Sequence, residues 1–67
     1  MKVEADIGGS NVVVWINPSL YIDARKDIRY PGVSFIEVVR NGHVVQDKTA
    51  IEKDAPETII ELMKEWA

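Results

Sequence analysis

The chain has 67 residues, with 8 Lys and Arg against 11 Asp and Glu, a formal charge of −3, no cysteine and one histidine. Disulfides and thiolate metal sites are thereby excluded, and a zinc site within one chain lacks ligands. A mildly acidic chain without clustered cations also argues against duplex nucleic acid, whose phosphates require grouped Lys and Arg.

Met1 to Ile7 alternates strictly, with Met1, Val3, Ala5 and Ile7 set against Lys2, Glu4 and Asp6. That is the pattern of a strand with one wet face, and it lacks the uninterrupted apolar core of a signal peptide. Gly8 to Asn11 reads as a turn, and the β-branched run Val12 to Ile16 as a strand covered on both faces. Asn17-Pro18-Ser19 breaks it, since proline cannot donate to a ladder.

Leu20 to Tyr30 counts better as a strand than as a helix. Leu20, Ile22, Ala24, Ile28 and Tyr30 fall on one face, and Tyr21, Asp23, Arg25, Asp27 and Arg29 on the other. Lys26 alone breaks the alternation, as an edge-protecting charge or a bulge would. Tyr30-Pro31-Gly32 is a turn, Val33 to Arg40 a long strand, and Asn41-Gly42 a strong hairpin signal before the return strand His43 to Asp47. A two-residue turn sets Arg40 opposite His43, Val39 opposite Val44 and Val38 opposite Val45. Lys48 to Lys53 reads as a loop anchored by Ile51. Asp54 is expected to cap a helix with Pro56 in its first turn and Glu57 completing a capping box. Its apolar stripe would be Ile59, Ile60, Met63 and Trp66, with Leu62 beside it.

The order β-β-β-β-β-α predicts one small α+β domain over residues 1–67: an antiparallel β-meander or partial barrel of four to five strands, with one C-terminal α-helix packed on it. No apolar run approaches the roughly 20 residues that a membrane span requires.

INPSLYI, VSFIEVVRNGHVV and ETIIELMKEW resemble, in this order, the pieces of a family of small flagellar FlbD-like proteins. KTAIEKDAP departs from the short acidic link that the family usually places before its helix. The resemblance implies a small cytoplasmic accessory factor, not an enzyme, and brings no catalytic residues with it.

The residues themselves offer little catalytic chemistry. Ser10, Ser19, Ser34, Thr49 and Thr58 have only His43 as a base, and His43 follows a hairpin turn, where a solvated role is expected. Glu37, among Phe35, Ile36, Val38 and Val39, would titrate anomalously if it pointed inward, but is expected to face solvent or pair with a nearby cation. The remaining acids do not match a calcium loop, and Gly8-Gly9 lacks the lysine of a phosphate loop. No cofactor is expected.

The first functional expectation is a non-catalytic protein-binding regulator or inhibitor with a protein partner; phage proteins that block host enzymes are built at this size. The second is a homo-oligomer that holds a nucleotide or phosphate with Arg25, Arg29 and Tyr21 or Tyr30, since guanidinium forks suit phosphate and aromatic faces suit bases. A weak enzyme using Glu37 or His43 comes third. One helix can shield only one face of the sheet. The other would carry some of Val13, Trp15, Phe35 and Val39, and either a second copy of the chain covers it, giving a homodimer, or the sheet curls into a barrel.

Overall fold

The computed structural model describes residues 2–5 and 11–67. Five antiparallel strands run in sequence order: β1 (Lys2–Ala5), β2 (Asn11–Asn17), β3 (Leu20–Lys26), β4 (Val33–Arg40) and β5 (His43–Ile51). A 3-10 turn, Glu52–Asp54, leads into the helix α1 (Ala55–Trp66). The sheet is an open meander with β1 and β5 at its edges, not a closed barrel. The turn expected at Gly8 to Asn11 falls largely outside the described residues.

The helix lies against β3, β4 and β5. Leu20, Ile22 and Ala24 of β3 and Ile36 and Val38 of β4 form the core with Ala55 and Leu62 of the helix. Ile22, Ile36, Val38 and Leu62 are the fully buried large side chains. The helix stripe differs from the expected one. Leu62 is its centre, joined by Ala55, Ile59, Met63 and Trp66, whereas Ile60 is 51% exposed. Spacings of four, three and four from Ala55 through Ile59 and Leu62 to Trp66 keep one face toward the sheet, and Ile60 is rotated off it. The capping box does not form. Asp54 already has helical φ and ψ because the 3-10 turn precedes it, and its side chain caps nothing. Instead, the Thr58 hydroxyl donates to the Asp54 carbonyl at 3.0 Å.

Three further expectations require correction. Strand β3 stops at Lys26, not Tyr30. The Asp27 carboxylate accepts from the Arg29 backbone N–H at 2.9 Å, an Asx turn that bends the chain, and leaves Ile28 97% exposed. Lys26 sits on the central strand opposite Ser34, within 3.8 Å of Glu52, so it protects no edge. Lys48 to Ile51 is strand, paired from Val33↔Ile51 to Ile36↔Lys48, and Ile51 is 47% exposed rather than an anchor.

The β4–β5 hairpin begins in the expected register, Arg40↔His43 and Val39↔Val44, but Val38 then faces Gln46. Val45 is the extra residue of a bulge. The insertion reverses the facing of the rest of β5. Without it Asp47 would stand opposite core Ile36; with it Lys48 does, its charged end able to reach past the helix to water. Gln46 now faces the helix, and its Oε1 accepts from the Trp66 indole N–H at 2.9 Å. The Arg40 guanidinium lies 4.9 Å from the Trp66 ring, adding a cation–π contact at the same corner.

At the hairpin tip Asn41 has φ 51° and Gly42 φ 80°, as a type I′ turn demands. A Cβ on Gly42 would meet nothing within 4 Å, so the cost of a side chain there is backbone strain alone. Gly42→Val is expected to destabilise by about 1–3 kcal/mol in denaturant titration; unchanged stability would show that the turn is not fixed in this form.

Candidate functional site

Across the face away from the helix, the ladder lines up side chains in rows. One row runs Lys2, Trp15, Tyr21, Val39, Val44. The next runs Glu4, Val13, Asp23, Glu37, Asp47, and a third Asn11, Arg25, Phe35, Thr49. No element among the described residues packs over them. The residues expected on a bare face, Val13, Trp15, Phe35 and Val39, therefore lie together on the side opposite the helix. Tyr21 joins them, its ring centroid 4.6 Å from that of Trp15 at a 44° tilt. Val39 is 4% exposed, whereas Val44 at the edge is 53% exposed.

The four residues considered for ligand binding divide between two places. Tyr21 and Arg25 stand on the sheet face; Arg29 and Tyr30 belong to the β3–β4 turn. Arg25 and Arg29 nonetheless line one shallow depression of about 250 Å³ with Lys26, Asp27, Ile28 and Phe35. Both guanidinium groups are occupied. Arg25 donates to Glu37 at 2.8 Å and lies 5.3 Å from the Phe35 ring centroid. Arg29 grips Asp27 through Nε and Nη2, each at 3.2 Å, and rests 5.5 Å from the Tyr30 ring. The Arg29 hydrogen bonds hold the Asp27 carboxyl below its ordinary range. Both arginines are thus paired, Arg25 across strands and Arg29 within the turn.

Glu37 points to the helix-free face and pairs with Arg25, as the sequence reading expects of it. Its neighbour Asp23 is the unusual group. Its Oδ1 is buried without a hydrogen-bond partner. Burial, then the charge of Glu37 directly across the ladder, push its carboxyl above the ordinary value, with Arg25 opposing. The sequence offered no sign of this, because Asp23 becomes crowded only once β4 sets Glu37 beside it. At the sheet edge, the Lys2 ammonium, 3.0 Å away, holds Glu4 below its ordinary range.

No protein-family model, curated protein or solved structure matches the chain. Among the described residues no helix is long and apolar enough to cross a membrane.

The raised Asp23 pKa has a consequence for stability. The folded chain holds this proton more tightly than the unfolded chain does, so stability falls as pH rises from the ordinary carboxylate value through the raised one. Above that window the ionised, half-buried carboxylate is a standing cost. Asp23→Asn is expected to melt higher than wild type near neutral pH, with the difference shrinking as pH falls toward the ordinary carboxylate value of about 4 and absent below it. A thermal melt series against pH checks this. A lower melting temperature for the variant at every pH would mean that the carboxylate has a stabilising partner.

Proposed function

We propose that the chain is a non-catalytic protein-binding accessory module, a cytoplasmic regulator or inhibitor that acts by laying its helix-free sheet face on a partner. The observation that carries this reading is the row Trp15, Tyr21, Val39 and Val44, adjacent in register on a face that no described element covers. Aromatic side chains with a polar tip supply large contact area at low entropic cost and are typical interface anchors. The surrounding surface suits a broad contact better than a small substrate: the depressions beside the row are shallow, near 220 Å³ at Asn11, Val13 and Asp23 and 250 Å³ at the turn. The likeness to FlbD-like accessory proteins points the same way.

A second reading, the homo-oligomeric nucleotide or phosphate binder, draws support from the depression that Arg25 and Arg29 share. A phosphate there would have to compete with Glu37 and Asp27 for both guanidinium groups, which weighs against it.

Two measurements separate the readings. The immobilised chain is expected to capture a protein from lysate, and Tyr21→Ser with Val44→Ser is expected to lose it by at least about tenfold while still folding cooperatively. A nucleotide and phosphate panel is expected to leave the melting temperature unchanged. Capture that survives the double substitution removes the sheet face from the reading. A nucleotide-dependent rise in melting temperature supports the second reading, because a ligand that binds only the native state stabilises it by mass action.

A further inference from the structure

Taking the protein-binding reading as its basis, we infer that the occupant of the helix-free face is a basic amphipathic helix of another protein. The second row of that face places Asp23, Glu37 and Asp47 on successive strands beside the apolar row, with Glu4 beyond Val13 at its end. Asp23 with Glu37, and Glu37 with Asp47, stand directly opposite each other, an arrangement that destabilises a sheet by itself. Lys2 and Arg25 engage two of these carboxylates, Glu4 and Glu37. Asp23 and Asp47 form no ion pair among the described residues. The face therefore presents Trp15, Tyr21 and Val44, set around the buried Val39 and flanked, about 7 Å away, by a strip with uncompensated negative charge.

The complement is a surface with an apolar stripe next to a cationic one. An α-helix supplies both, from positions spaced at three and four residues. Trp15 to Val44 spans four adjacent strands, about 14 Å, which matches roughly ten residues of helix. The helix α1, with 12 residues, already covers the opposite face in this way. A cation set against Asp23 would also give its buried oxygen the hydrogen bond it lacks.

Other occupants fit less well. A second copy brings the same four carboxylates with the same two cations, so most symmetric pairings set like charge on like charge. A nucleic acid would meet an acidic row. Among the described residues no three carboxylates converge closely enough to hold a metal ion.

Amide shifts of the isotopically labelled chain test this, titrated with two synthetic helices of about 14 residues. One carries Leu on one face and Lys on the other; its counterpart carries Glu for Lys. The Leu/Lys helix is expected to move Trp15, Tyr21, Asp23 and Val39, and the Leu/Glu helix to move none of them. Affinity for the Leu/Lys helix is expected to fall about tenfold between about 50 and about 500 mM salt, and about tenfold again in Asp23→Asn with Asp47→Asn. The inference is overturned by an equal response to both helices, by shifts confined to other residues, or by no response at all. It is also overturned if the same amides shift on concentrating the chain alone, for then a second copy holds the face. If the lysate partner still depends on Tyr21 and Val44 but ignores salt and the two Asn substitutions, protein binding stands and the basic helix falls. If neither the partner nor the peptide touches this face, both fall.

Discussion

One helix cannot cover both sides of a sheet, and this sheet has two sides with apolar residues. Everything else in the molecule follows from which side the helix takes. Leu62, fully buried, fixes that choice by inserting among Leu20, Ile22, Ile36 and Val38. The side it leaves is not simply the wetter one. It keeps Trp15, Tyr21 and Val39 in one row and sets carboxylates in the next. A face built only to meet water has no use for a tilted aromatic pair, and one built only to bury itself would not line up three acids across neighbouring strands.

The bulge at Val45 is the local device that makes the two faces chemically distinct. It turns Gln46 toward the helix, where the Trp66 indole N–H finds an acceptor, and turns Asp47 outward beside Glu37. The end of the helix and the acidic row thus depend on the same extra residue. The half-buried indole gains a hydrogen bond, worth about 1 kcal/mol, so the core side gains from an insertion whose other result is crowded charge on the open side. Asp23, one strand further on, resists ionisation chiefly because it is half-buried and then because Glu37 stands beside it.

Much of this was legible in the residues. Period-two alternation marks the strands and Asn41-Gly42 the hairpin, and a single helix implies one bare sheet face; which face that is, and so the company of Val13, Trp15, Phe35 and Val39 on it, comes only from the helix packing. What escaped notice depended on partners distant in sequence. Nothing in HVVQDKTAI marks Val45 as the inserted residue; Ile36 and the helix decide it by rejecting Asp47. Ile60 looks as apolar as Leu62, and only the helix's rotation against the sheet separates them. The early end of β3 was more nearly readable, since Asp27 two residues before Arg29 is an Asx-turn pattern that strict alternation concealed. The acidic row appears only when five strands are in register.

The central claim is that the face carrying Trp15 and Tyr21 is open in the free chain and closed by a partner. Solvent paramagnetic relaxation, with a neutral gadolinium chelate added to the dilute chain, reports this directly. The amides and side chains of Val13, Phe35 and Val44 are expected to relax strongly, while those of Ile22, Ile36 and Leu62 do not, and adding the captured partner should protect the first group alone. Protection of Val13, Phe35 and Val44 in the dilute free chain would contradict the claim, because the face would then already be covered.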